Sequence, residues 1–204
     1  AIHERLDERV RDRIVAETRG NPLALLELPR GLTAAELAGG FQIPDAQPLA
    51  DRIEQTFLRR FHSLTPSSQQ LLLTAAAEPL GDATLLWRAV ERFQLDADAV
   101  AAAEGSGLIE VGARVRFRHP LVRSAIYWSA SPRERSEVHG ALAEITDRTV
   151  DPDRRIWHFA QATSGPDEEV ATELERSALR AQKRGGLAAA AAFLERSATL
   201  TPDP

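Results

Sequence analysis

The spacing of apolar residues predicts a chain built mostly from short amphipathic helices. Apolar side chains recur at intervals of three and four over most of its length, which places them on one face of a helix. Leu49, Ile53, Phe57 and Phe61 show the pattern most clearly, because each falls four residues after the last. Further helical patterns cover residues 4–18, 66–78, 83–93, 97–106, 120–130, 132–146, 152–164, 167–184 and 187–200.

Polar residues that can cap a first turn precede several of these helices. We predict N-caps at Thr65, Asp82, Asp96 and Asp151, whose side-chain oxygens can accept a hydrogen bond from the first turn. Proline follows Thr65 and Asp151, and its missing N–H suits the first helical position. The run Ser-Pro-Arg-Glu at 131–134 has the spacing of a capping box, so a helix is expected to start there.

The segment 107–118, which we call the wing, alternates apolar and polar residues. "GLIEV" and "RVRFR" read as two short strands, and Gly112-Ala113 between them predicts a hairpin. Helices before and after such a hairpin occur in this order in a winged helix-turn-helix domain. The predicted fold class is therefore mainly α, with a winged helix-turn-helix domain and its small β-hairpin at 48–147, after an N-terminal helical segment at 1–47.

The C-terminal region, 148–204, is predicted to form helical hairpins similar to tetratricopeptide repeats. Ala190, Leu194, Ser197 and Pro202 lie at the offsets of the small, large, small and proline positions in the second helix of that repeat. In the preceding helix, Ala178 stands where the repeat prefers glycine, so the match is partial. Because such helix pairs bury one face against a neighbouring pair, we expect this region to start a longer array.

The composition excludes several classes of protein and of site. The 204 residues carry a net charge of −5, which argues against a surface built mainly for nucleic acid. The absence of cysteine excludes disulfides, thiolate nucleophiles and cysteine-based metal sites. No apolar run approaches the ~18 residues of a membrane span, so we expect a cytoplasmic chain without a membrane partner. Methionine is absent even from position 1, from which we expect an internal segment of a longer protein.

Common catalytic and nucleotide-binding motifs are missing from the sequence. A phosphate-binding loop requires lysine directly after its glycines, but Lys183, the only lysine, precedes Gly185. The histidines show no metal-ligand spacing, and no G-x-S-x-G nucleophile motif occurs. We therefore expect that the chain is not an enzyme and holds no metal.

His119 is the strongest candidate for a functional contact. It separates the basic strand from the helix at 120–130, and residues 111–135 contain six arginines but one acid, Glu134. This local positive charge could attract an anion, and the adjoining helix N-terminus would favour a phosphate. Two simpler interpretations stay open: a partly buried helix-terminus histidine bonded to the wing, and solvated arginines paired with acids of neighbouring helices.

Two motifs, and the elements between and after them, resemble a known family. "GNPLALLELP" at 20–29 is followed about 100 residues later by "FRHPLVRSAIY" at 117–127, with the predicted winged helix between them and helical repeats after. In this order they resemble the large LuxR-type transcriptional regulators of actinobacteria, which are MalT-like signal-transduction ATPases with numerous domains. The resemblance covers essentially the whole chain.

The resemblance implies roles for particular residues. Residues 20–25 match the family's lid motif, whose proline, here Pro22 after Asn21, packs beside the nucleotide base. His119 matches the histidine that contacts the β-phosphate of bound ADP and holds the resting state. The motif here reads Arg-His-Pro instead of Met-His-Asp. Asn21, Pro22, Arg118 and His119 therefore make up the predicted half-site for ADP or ATP.

The function that the resemblance implies is regulatory and non-catalytic. The segment would contain the end of an ATPase lid, a winged helix and the first repeats, and would transmit nucleotide and inducer state between the ATPase core and the sensor repeats. Its partners would be the nucleotide-binding domain of the same chain and an inducer or partner protein at the repeats. DNA would bind a C-terminal domain outside this segment. ADP or ATP would belong to the full-length ATPase, so no cofactor is expected in the segment alone.

Two other functions stay open on the sequence. The chain could be a free-standing winged-helix DNA-binding protein that uses the basic wing, or an interaction scaffold whose helical pairs hold a protein partner. The predicted helix at 97–106, in the place of a recognition helix, counts against DNA binding. It contains no arginine, lysine, asparagine or glutamine that could read base edges.

Overall fold

The chain divides into two compact units, Ala1–Ser63 and Leu64–Pro204. The computed structural model describes residues 49–202 except 79 and 97, with side chains from residue 54 onward. The predicted lid motif at 20–25, with Asn21 and Pro22, lies outside the described residues. The predicted domain limits 1–47, 48–147 and 148–204 stay predictions.

In the first unit the structure describes one helix, α1 (Leu49–His62). Phe57 and Phe61, the two members of the apolar stripe whose side chains are described, are both buried. This agrees with the period-four pattern of the sequence.

The described part of the second unit is mainly helical, as the sequence predicted, with one small hairpin. Its elements are α2 (Pro66–Ala77), α3 (Ala83–Phe93), α4 (Ala99–Gly105), β1 (Ile109–Val111), β2 (Val115–Phe117), α5 (Pro120–Ser129), α6 (Pro132–Ile145), α7 (Pro152–Ala162), α8 (Glu168–Lys183) and α9 (Leu187–Leu200). Among the described residues, no helix combines the length and the apolar character that crossing a membrane requires.

Most of the predicted helix starts are confirmed by their hydrogen bonds. The side chains of Thr65, Asp82 and Asp151 accept backbone N–H groups of their first turns. Residues 131–134 form both bonds of a capping box. These contacts lie within four residues, so local sequence is enough to predict them.

The predicted N-cap at Asp96 is wrong. Helix α4 starts only at Ala99, with Asp98 in the N-cap position and no side-chain cap. The Asp96 carboxylate instead accepts a hydrogen bond from the Ser67 hydroxyl at 2.7 Å. Because Ser67 belongs to another helix, this tertiary contact cannot be predicted from the residues next to Asp96.

The hairpin is confirmed, with shorter strands than the sequence predicted. Each strand has three residues, and Val111 pairs with Val115 across the connection. The loop before α3 runs along the other edge of β2, where the Val115 N–H donates to the Gly81 carbonyl at 2.9 Å. Asp82 and Arg114 form an isolated antiparallel bridge there. The loop therefore acts as a short third strand beside the wing.

Helices α7, α8 and α9 share an apolar core of their own. It consists of Ile156, Ala160, Val170, Ala171, Leu174 and Leu200, with Phe193 packed against it. Ala190 and Ser197, at the small-residue positions of the repeat pattern, are buried. Leu194, at the large-residue position, keeps 51% of its surface exposed, and its neighbour Phe193 packs inward instead.

Candidate functional site

His119 lies at the joint between the wing and α5, where it caps the helix. It occupies the N-cap position, one residue before the first turn, and its Nδ1 accepts the Leu121 N–H at 3.1 Å. Pro120 follows at the first helical position and has no N–H to satisfy. Because Nδ1 is an acceptor here, the proton of the neutral ring sits on Nε2. Only Nε2 could therefore donate to a phosphate.

Four of the six arginines between 111 and 135 make contacts within the chain. Arg118 pairs with Glu110 at 3.3 Å, and Arg133 pairs with Glu137 at 2.8 Å. Arg123 donates to the Ala76 carbonyl at 2.8 Å, and Arg135 donates to the Ala130 carbonyl at 2.6 Å. For these four, the interpretation as structural or paired arginines is the better one.

Arg114 and Arg116 remain, and both are exposed on the wing. Within the part of the chain that the structure describes, neither guanidinium has an ion-pair or hydrogen-bond partner. Side chains alternate between the two faces of a strand, so Arg116 and Arg114 project from the face opposite the buried Val115. Glu110 lies opposite Arg116 on that outer face. The structure thus reduces the basic cluster to two unpaired arginines.

The described half of the predicted nucleotide half-site consists of His119 and Arg118. A phosphate could accept from the His119 Nε2, and α5 would add the favourable end of its dipole. Arg118 would have to share its guanidinium with Glu110, from which it is 3.3 Å away. Within the predicted half-site, His119 is therefore the main candidate for a phosphate contact, and Arg118 is a second charge that already pairs with Glu110.

A second polar feature, which the sequence did not suggest, is a buried pair of histidines. His139 on α6 and His158 on α7 are 3% and 0% exposed. Their Nδ1 atoms lie 2.9 Å apart, and the His139 Nε2 lies 2.9 Å from the Tyr127 hydroxyl on α5. The pair therefore links three helices. No sequence motif marks it, since the two histidines are 19 residues apart.

The histidine pair is neutral and holds one proton between the two Nδ1 atoms. Burial, with a smaller contribution from Arg135, lowers the pKa of His139 to about 4. Burial, followed by the charges of His139 and Arg154, lowers the pKa of His158 to about 3. Among the described residues, the His158 Nε2 finds no hydrogen-bond partner. An unpaired ring nitrogen is less costly as an acceptor than as an N–H donor. We therefore assign the shared proton to His158 Nδ1.

Arg154 ties the start of α7 to the loop before α3. Its guanidinium lies 3.0 Å from Asp82 and 3.0 Å from Asp151, and 3.9 Å from the buried carboxylate of Glu78. Burial raises the pKa of Asp82, but hydrogen bonds from Leu85 and Arg154 outweigh it and the net pKa is lowered. Both aspartates were predicted as helix caps, whereas the arginine that joins them was not predicted.

Replacing Arg154 by methionine should lower the free energy of unfolding by about 2 kcal/mol, because Glu78 and Asp82 would lose their cation in a poorly solvated place. Urea denaturation at pH 7 would measure the loss. Arg133→Met is the matched control, since Arg133 makes an exposed, solvent-screened pair within α6 and its loss should leave the stability nearly unchanged. Equal effects of the two substitutions would contradict a special role for Arg154.

Metal ligands and relatives give no further indication of function. In the described part of the chain, no three histidine, aspartate or glutamate side chains converge as a metal site. Comparisons with protein-family models, with curated proteins and with solved structures find no match to this chain.

Proposed function

We propose that the chain is a non-catalytic regulatory segment of an ATP-dependent LuxR-type transcriptional regulator, which transmits nucleotide and inducer state between the ATPase core and the sensor repeats. The observation that carries the proposal is a set of side-chain contacts between α7 and the region around the wing. His139 of α6 contacts His158 of α7, and Arg154 of α7 contacts Asp82 in the loop before α3. These contacts attach the helical hairpins directly to the helices beside the wing. A displacement of one part would therefore move the other.

The region from α2 to β2 supports a winged-helix interpretation. Helix α2, the bridge at Asp82, helices α3 and α4, and the hairpin follow in the order of such a domain. Helix α4, in the place of a recognition helix, is seven residues of alanine, valine, glutamate and glycine. It offers no side chain for reading base edges. This winged helix is better suited to contacts with protein than with bases.

The nucleotide would be held mainly by the ATPase core, with His119 as the contribution of this segment. Bound ADP would supply the phosphate charge that the His119 Nε2 and the α5 N-terminus favour. For this contact to act as a switch, ADP must bind the closed arrangement more tightly than the open one.

The outer face of the last hairpin supports a role for the repeats in binding. Leu179, Leu187 and Leu194 are 58%, 69% and 51% exposed on α8 and α9. In stacked helical repeats, a face of this kind is covered by the next helix pair or by a partner. We propose that the repeats continue and that the inducer or a partner protein acts there.

His119→Asn in the full-length protein tests the nucleotide contact. Asparagine can still cap α5 but lacks the donor at the Nε2 position, so release of ADP should accelerate about tenfold or more. The same substitution should leave the stability of α5 within about 0.5 kcal/mol, whereas His119→Ala should cost about 1 kcal/mol by removing the cap. Nucleotide release kinetics and urea denaturation would measure the two effects. Unchanged ADP release in His119→Asn would remove His119 from the nucleotide site.

The coding sequence around this segment tests the wider proposal. A phosphate-binding loop roughly 200–300 residues upstream and a helix-turn-helix downstream would establish the ATPase context. An open reading frame limited to these 204 residues would refute it.

DNA binding by the wing is the second candidate, and the unpaired Arg114 and Arg116 are the observation in its favour. Duplex binding with a steep salt dependence, lost when both arginines become glutamine, would establish it.

A further inference from the structure

The outer face of the wing combines two unpaired cations with an open groove. Arg116 lies in β2 and Arg114 directly precedes that strand, in the bridge with Asp82, so in extended backbone their Cα atoms are ~6.8 Å apart on the same side. A groove of about 490 Å³ adjoins them, lined by Glu104, Glu110, the tip 111–113 and both arginines. The two unpaired guanidinium groups therefore border a groove that a ligand could enter.

The backbone that carries the two arginines is hydrogen-bonded on both sides. Strand β2 pairs with β1 on one side, and its Val115 N–H donates to Gly81 on the other. The spacing of the two side-chain origins is thus fixed before any ligand arrives, which reduces the entropy cost of binding.

Beside the groove, the outer edge of β1 is already partly occupied by a side chain. The outward Val111 N–H, which an added strand would use, already donates to the Glu104 carboxylate at 2.9 Å. A ligand must therefore match the guanidinium groups themselves, and an extended peptide does so. Its side chains on one side also recur every ~6.8 Å, so carboxylates at alternate positions meet Arg114 and Arg116 in register.

The acidic residues of the groove favour a peptide over a nucleic acid as its ligand. Glu104 and Glu110 line the same groove as the arginines. A nucleic-acid backbone carries a charge on every nucleotide, so some of its phosphates would face these carboxylates. An acidic peptide can place uncharged residues at those points.

We infer that the wing binds an extended acidic protein segment whose carboxylates fall on every second residue. The inference does not depend on an ATPase context, since all of the residues that carry it lie in this chain. Its failure would leave the proposed regulatory function unaffected.

Fluorescence anisotropy with a labelled peptide of alternating glutamate and threonine tests the inference on the present chain. We expect saturable binding that weakens with salt, and an affinity at least tenfold lower in the double variant R114Q/R116Q. The same peptide with glutamine in place of glutamate should not bind. Arg133→Gln is the matched control, because it removes an exposed arginine elsewhere on the same unit and should leave the affinity unchanged.

Three results would overturn the inference. The first is equal loss of peptide affinity in R133Q and R114Q/R116Q, which would indicate a general charge effect. The second is absence of binding to the wild-type chain. The third is tighter binding of a labelled DNA duplex that is abolished by R114Q/R116Q, which would assign the wing to nucleic acid. Circular dichroism of each variant would verify its fold, and the single variants R114Q and R116Q would serve if the double variant were unfolded.

Discussion

Lowering the pH from 7 to 5 should reduce the free energy of unfolding by about 2 kcal/mol for each of His139 and His158. Burial lowers their pKa values to about 4 and about 3 in the folded chain, against 6.5 for an ordinary histidine. The unfolded chain therefore takes up protons near pH 6.5, while the folded chain does not. The contribution of the neutral histidine pair to the free energy of unfolding is fully present well above pH 6.5 and decreases as the pH falls towards 4.

Two partly buried aspartates, Asp153 and Asp82, respond at lower pH than the histidines. Burial raises the pKa of Asp153, but hydrogen bonds from Arg184 and Arg180 lower it on balance below its ordinary value of 3.8. Asp82 is shifted in the same direction. Their stabilising contributions are present above the unfolded pKa and are lost only as the pH falls further. Between pH 7 and 5, the loss should come mainly from the histidines.

A double substitution, His139→Leu with His158→Leu, should abolish most of this pH dependence. Removing both rings together, with side chains of similar size, leaves only the half-buried Tyr127 hydroxyl without its partner and should cost about 1 kcal/mol at pH 7. His139→Leu alone should cost about 2–3 kcal/mol at pH 7, because the buried His158 would keep both ring nitrogens without a partner. Urea denaturation at pH 7, 6 and 5 would measure all three proteins.

His62→Gln is the control for the loss of a histidine, since His62 is exposed. It should retain the pH dependence of the wild-type chain. If the double variant instead lost stability between pH 7 and 5 as steeply as the wild type, the histidine pair would not be the cause.

The sequence was informative where contacts are local and uninformative where they join distant helices. The caps at Thr65 and Asp82 and the hairpin at 109–117 depend on residues within a few positions of one another, and all were predicted correctly. The Asp96 cap failed because Ser67 competes for its carboxylate. Periodicity alone also cannot decide between adjacent positions, as Phe193 and Leu194 illustrate.

The features of the candidate site also differ in whether the local sequence could predict them. The position of His119 at the start of a helix could be predicted, because Pro120 and the change of periodicity mark it. Which of the arginines between 111 and 135 are unpaired, Arg114 and Arg116, could not be predicted, because it depends on partners such as Ala76 and Glu110 that only the folded chain brings close. The same holds for Arg154, whose contact with Asp82 spans 72 residues.

Gly81→Ala should lower the free energy of unfolding by about 3 kcal/mol or more. Gly81 has a φ of +66°, where a side chain is strained, and an added Cβ would overlap the carbonyl oxygen of Val115. The overlap would push the loop away from β2 and break the 2.9 Å hydrogen bond from the Val115 N–H to Gly81. Urea denaturation at pH 7 would measure the effect.

Substitutions at two other glycines distinguish backbone strain from steric overlap as the cause of that loss of stability. Gly107 has a similar φ of +73° but no atom within 4 Å of an added Cβ, so Gly107→Ala should show only the backbone strain, about 1 kcal/mol. Gly140 lies inside α6, where an added Cβ would make an ordinary 3.9 Å contact with Ala162. Gly140→Ala should therefore stabilise the chain by about 0.5–1 kcal/mol. If Gly81→Ala cost no more than Gly107→Ala, close packing of the loop on β2 would not be required.

The effect of Gly81→Ala should extend beyond the wing, because the next residue, Asp82, holds Arg154 of α7. A loop displaced from β2 would move the Asp82 carboxylate and weaken that ion pair. In a double-mutant cycle with Arg154→Met, the two substitutions should therefore cost less together than the sum of their separate effects. Full additivity would mean that the wing and the helical hairpins do not influence each other through this loop. That outcome would count against transmission of a signal by this route.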